Sequence, residues 1–76
     1  MAELNPSPLE REPVGLSRRE TSVLQLLSRG ASNKEIAHAL NIENGTVRNH
    51  LSSVYRKLGV TDRLQAVVEA RRLGIG

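Results

Sequence analysis

Cysteine is absent from this 76-residue sequence, and so are tryptophan and phenylalanine. Without cysteine there is no disulfide framework and no thiolate zinc site, which leaves His38 and His50 as the only imidazole candidates. Neither a metal nor a cofactor is expected. Tyr55 is the sole aromatic residue, so a core must be built from Leu, Val, Ile and Ala, which suits closely packed helices better than a β-sandwich. Long apolar runs are missing too: none exceeds three residues, whereas crossing a bilayer takes about 20. Met1 is not followed by the charged and then apolar stretch of a secretory signal. The chain is therefore expected in the cytoplasm, without a membrane partner. One small domain is all that this length supports. There is no convergent pair of acids, no Ser/His/Asp set and no glycine-rich phosphate loop, and these absences argue against an enzyme.

Charge is present but uneven. Residues 1–15 carry Glu3, Glu10 and Glu12 against Arg11, a net of −2, so residues 16–76, with 10 basic and 5 acidic groups, carry a net of +5. The part expected to fold is the basic part, which favours a polyanionic partner. All three prolines, Pro6, Pro8 and Pro13, also lie in residues 1–15. With no apolar periodicity to offset ordering entropy, that stretch reads as a flexible linker or tail. Residues 16–76 read as one all-α domain.

Four helices follow from local signals. Ser17 with Glu20 three residues on is a capping box, and Val23, Leu24 and Leu27 follow at helical spacing before Gly30, predicting a helix over about 18–29. Ser32 with Glu35 repeats the box, and Ile36, Ala37 and Leu40 predict a second helix over 33–40, stopped at Asn41. Glu43 or Asn44 caps a third, with Val47, Leu51, Val54 and Leu58 as its inward stripe and Gly59 as its stop. Thr61 is expected to cap a fourth helix with Ala66, Val67, Ala70 and Leu73 inward, ending at Gly74. A short helix, a tight turn and a longer basic helix make a helix-turn-helix, here within a four-helix bundle.

Set at about 100° per residue, the third helix places Asn49, Ser52, Ser53 and Arg56 opposite its apolar stripe, with Arg48 on the flank. That face has no acid and no large apolar residue. Small residues permit close approach, and Arg and Asn supply directional hydrogen bonds: Arg48 to guanine O6 and N7, Asn49 to adenine N6 and N7. Asn33, Lys34 and Thr46 lie in first helical turns, where free N–H groups favour phosphate, although Thr46 reads equally as a second capping hydroxyl. Lys57 reads as a phosphate contact or as a solvated lysine. His50, at the edge of the inward face, reads as a packed histidine rather than a metal ligand. Glu20 falls inward and needs a partner, with Arg63 the first choice and Lys57 the second. On the last helix Leu64 and Val68 point outward one turn apart, flanked by Gln65, Arg71 and Arg72. That group is either ordinary exposed surface or the centre of a two-fold interface between two copies.

Leu16-Ser17-Arg18-Arg19-Glu20, Val23-Leu24, Gly30, Ser32-Asn33-Lys34-Glu35-Ile36-Ala37, Thr46-Val47-Arg48-Asn49-His50-Leu51, Arg56-Lys57-Leu58-Gly59-Val60 and Asp62-Arg63 together resemble the LuxR-type helix-turn-helix domain. This is also the output domain of LuxR/FixJ-type response regulators. The resemblance runs from Leu16 to Leu73. It implies a recognition helix at the third position and a homodimer through the last helix, binding paired half-sites in double-stranded promoter DNA; RNA polymerase is a further candidate partner. By resemblance, Arg48, Asn49 and Ser52 fall at base-contact positions, and Asn33, Lys34, Thr46 and Arg56 at or near phosphate contacts. Ser52 departs from the basic or long polar side chain frequent there, and Glu43 from a Ser or Thr cap. The resemblance also implies a receiver or ligand-binding domain in the full-length protein, with residues 1–15 as the linker to it, or alternatively a small stand-alone regulator. A different class of reading is a helical protein-interaction module contacting polymerase or a regulatory domain. The acid-free face of the third helix favours DNA over it.

Overall fold

The structure, a computed structural model, describes residues 15–76, which form α1 (Arg18–Ser28), α2 (Asn33–Leu40), α3 (Asn44–Leu58) and α4 (Arg63–Arg72). The linker expected over residues 1–15 lies, Gly15 apart, outside the described residues. No strand occurs among them.

Helix starts follow the capping chemistry. Both boxes form: the Ser17 hydroxyl accepts from the Glu20 N–H at 3.0 Å while a Glu20 carboxylate oxygen accepts from the Ser17 N–H at 2.9 Å, and Ser32 with Glu35 does the same at 3.1 and 2.8 Å. Each pair satisfies two backbone donors that a helix start would otherwise leave to water. The cap of α4 differs from expectation. Asp62, not Thr61, occupies the N-cap, its carboxylate accepting from the Gln65 N–H at 2.9 Å. Gln65 reaches back one residue further, accepting at Oε1 from the Thr61 N–H at 2.9 Å and from the Thr61 hydroxyl at 3.2 Å. A carboxylate at the cap also complements the positive end of the helix dipole.

Helix ends turn on left-handed residues. Asn41 (φ 56°) ends α2 and Gly59 (φ 73°) ends α3, and in both cases the next residue bonds back: Ile42 N–H to Ala37 O, Val60 N–H to Tyr55 O, each at 3.0 Å. The same device after α4 has an effect the apolar spacing does not reveal. Past Gly74 (φ 79°) the chain reverses, Ile75 N–H donates to Ala70 O at 2.8 Å, and the Ile75 side chain is buried.

Packing centres on α1, which lies against α2, α3 and α4, while α2 packs on α3 and α3 on α4. Val23, Leu24 and Leu27 of α1, Ile36 of α2, Val47 and Val54 of α3, and Ala66 and Ala70 of α4 meet in one core closed by Leu16 and Ile75. Alanine on α4 lets that helix approach α1 closely. With an apolar face of α3 held in this core, its opposite face is left outward.

Candidate nucleic-acid interface

Arg48, Asn49 and Ser52 are all exposed on α3, and no hydrogen bond within the described residues engages their side chains. Arg48 runs back toward the helix start, its Nη2 lying 3.7 Å from where a Cβ on Gly45 would stand. Glu43, the N-cap of α3, is exposed and makes no side-chain capping bond, so the first N–H groups of α3 are left to solvent or to an anion. Lys34 of α2 lines the same open groove as His38, Asn41, Glu43 and Asn44, beside that helix start. Thr46 is half-buried in the first turn of α3.

One residue of the expected outward face is placed differently. Ser53, expected on the outward face, is half-buried, and its hydroxyl donates to Glu20 Oε2 at 2.6 Å. Arg56 is exposed and donates to the Ser53 hydroxyl over a long 3.4 Å. Lys57 reaches Glu20 Oε1 at 2.8 Å and the Gly15 carbonyl at 3.4 Å, so its charge is paired within the domain.

The Glu20–Arg63 ion pair does not form; Lys57 takes that place. Arg63, at the start of α4, donates instead from Nη1 to Asn33 Oδ1 at 3.0 Å and from Nη2 to Ala31 O at 2.6 Å, on the turn between α1 and α2. Lys57 lies one turn beyond Ser53 on the flank of α3 that faces α1, and both reach the carboxylate from there. Burial alone would raise the Glu20 carboxyl. Hydrogen bonds from Lys57, the Ser17 N–H and Ser53, together with the Lys57 charge, outweigh it and lower its pKa from 4.5 to about 2. Glu20 thus holds the start of α1 and the flank of α3 at once. A Ser/Lys pair four residues apart, opposite an inward acid, is the sequence signal for this cluster.

On α4, Leu64 is 73% exposed and Val68 58%. Gln65 is engaged in the α4 cap, Arg71 is exposed, and Arg72 pairs with Glu69 one turn back, its Nε donating at 3.1 Å. That pairing lowers the Glu69 carboxyl and raises the Arg72 guanidinium. No group of acids, histidines or cysteines that could hold a metal occurs among the described residues. Nor is any described helix long and apolar enough to cross a membrane.

The sequence pattern of the bacterial regulatory proteins of the luxR family matches residues 14–70. The chain belongs to the luxR family. Spore germination protein GerE of Bacillus subtilis is 51% identical over 59 residues, covering 78% of this chain and 80% of GerE. The transcriptional regulatory protein DegU of Brevibacillus brevis is likewise 51% identical over 59 residues, but this chain spans only 25% of DegU's length. Among solved structures, the transcription factor GerE superposes with a TM-score of 0.73 at 46% identity, covering 83% of this chain and 92% of GerE. The response regulator ChrA of a heme-sensing two-component system superposes with a TM-score of 0.76 at 38% identity, covering 90% of this chain and 34% of ChrA. As a luxR-family domain, the chain is a DNA-binding module of a transcriptional regulator and not an enzyme. Within that family's helix-turn-helix, α2 and α3 are the paired helices, and the outward face of α3 is the one with Arg48, Asn49 and Ser52.

Proposed function

We propose that this luxR-family domain is the sequence-specific output domain of a cytoplasmic two-component response regulator, binding paired half-sites of promoter DNA as a homodimer. The observation that carries the reading is the outer face of α3. It has no acidic side chain from Asn44 to Leu58, it exposes Arg48 and Asn49, and it keeps Ser52 small so that a base edge can come close. In this reading Arg48, Asn49 and Ser52 read bases, while Lys34, Asn33 and Thr46 hold phosphates around the starts of α2 and α3 and Arg56 holds one from the last turn of α3. Lys57 is left out of the phosphate set because Glu20 holds its ammonium. The exposed pair Leu64 and Val68 is the apolar centre of a two-fold contact between α4 helices, rimmed by Gln65, Arg71 and Arg72. A receiver domain on a longer chain, by analogy with ChrA, and RNA polymerase complete the set of partners.

The test is a titration of the chain by fluorescence anisotropy against random duplex DNA and a selected pool, at several salt concentrations. Log K is expected to fall linearly with log salt at a slope of about −0.9 per phosphate neutralised, and the selected pool is expected to bind more tightly. No binding at low salt, repeated with an artificially dimerised chain, would favour a protein-interaction module.

A further inference from the structure

α2 and α4 do not pack on each other, yet Arg63 links them. Its Nη1 donates to the side-chain oxygen of Asn33, the first residue of α2, and its Nη2 donates to the carbonyl of Ala31, two residues earlier. Ala31 is held through both of its backbone groups, since its N–H also donates to Leu26 O at 3.1 Å, at the end of α1. The turn that leads into the helix-turn-helix is thus gripped by α1 on its N–H side and by α4 on its carbonyl side.

We infer that Arg63 is a positioning residue for DNA binding: it fixes the Asn33 amide with its oxygen toward the start of α4, so that Asn33 offers a phosphate only N–H donors. This rests on the proposed reading of Asn33 as a phosphate contact. A carboxamide ends in an oxygen that accepts and a nitrogen that donates, and a half-turn exchanges them. Turned outward, the oxygen repels a phosphate; the NH2 group binds it. A guanidinium can only donate, so its partner on Asn33 must be the oxygen, and the NH2 group is left for the ligand. Arg63 also binds through two nitrogens at once, a fork that the single ammonium of lysine does not reproduce at fixed geometry. The residue therefore acts through the orientation of Asn33 and not through its own charge. Its position beside Leu64, at the start of α4, ties that orientation to the helix proposed to hold the second copy.

The experiment is a double-mutant cycle on DNA affinity in the 76-residue chain, using random duplex DNA at fixed salt and a temperature where circular dichroism shows every variant folded. Asn33→Ala removes the contact and is expected to weaken binding about tenfold, the scale of one hydrogen bond to a charged group. Arg63→Ala and Arg63→Lys are each expected to weaken binding about three- to tenfold in the natural background and less than about twofold when Asn33 is already alanine, because coupled residues are not additive. Full affinity for Arg63→Lys, or equal losses from Arg63→Ala in both backgrounds, would overturn the inference and leave Arg63 acting by charge. A natural chain that bound no DNA would bring down the DNA reading, and this role with it. The two failures are told apart by the Asn33 side-chain amide NMR signals of the DNA-free protein, which move on Arg63→Lys only if the guanidinium holds the amide.

Discussion

Arg48 and Lys34 are both exposed cations near the start of α3, yet the proposed interface asks different things of them. A planar fork beside a base edge discriminates between bases, whereas an ammonium beside a phosphate does not. Arg48→Ala should cost about 1–3 kcal/mol and relax preference at one base position. Lys34→Ala should weaken all sequences alike and make the salt slope shallower by about 1. Parallel titrations on selected and random duplexes check both, and equal losses on every sequence for both variants would overturn the division of roles. Glu20 carries a stability prediction. Its carboxyl titrates near 2 in the folded chain against 4.5 ordinarily, so the ionised form favours folding. The contribution is complete above about pH 4.5 and lost as pH falls toward 2. Allowing for solvent around Lys57, whose side chain is 34% exposed, Glu20→Gln should cost about 2 kcal/mol at pH 7 and flatten the stability curve between those values. Denaturant unfolding across pH reads this directly; a variant as pH-sensitive as the natural chain would refute it.

Helix bounds were the most legible feature in the sequence, because each rests on chemistry within four residues. Ser17 with Glu20 and Ser32 with Glu35 form the boxes their spacing implies, and Asn41 and Gly59 adopt the left-handed backbone expected of stops. The start of α4 was misplaced by one residue because Thr61 and Asp62 are both capping types; the carboxylate took the cap and the threonine bonded Gln65 instead. Ile75 was not legible as core, since helical spacing ends at Leu73 and only the turn at Gly74 brings the chain back. The stop of α3 also yields a prediction. A Cβ on Gly59 would meet nothing within 4 Å, so the cost of Gly59→Ala is that of the left-handed backbone alone. About 1 kcal/mol is expected, read as a lower unfolding midpoint without loss of helical signal. A loss above about 3 kcal/mol would point to a clash that the open surroundings do not contain.

At the scale of the whole molecule, the domain offers two outward surfaces on different helices, a polar one on α3 and the small apolar one of Leu64 and Val68 on α4. If α4 joins two copies, each α3 reads one half-site, and the contact between copies adds to affinity only where both half-sites are present. Val68→Asp should then reduce affinity for paired half-sites more than for a single one, and should lower the sedimentation-derived mass at high concentration. The fold of the monomer should persist, since Val68 is 58% exposed. Unchanged paired-site affinity would remove α4 from the interface.

The sequence by itself determined the four helices, their stops, the apolar stripes and the acid-free face of α3, because these depend on spacing along one chain. It also led to the luxR family through motifs spread from Leu16 to Arg63. The tertiary structure alone decided how charged residues far apart in the chain were matched. Lys57 rather than Arg63 reached Glu20, Ser53 turned inward to join them, and Arg63 went to Asn33 and Ala31. A long cation on one helix has several acceptors within reach on others, and the choice depends on the packing of α1 against α3 and α4, which no local pattern encodes.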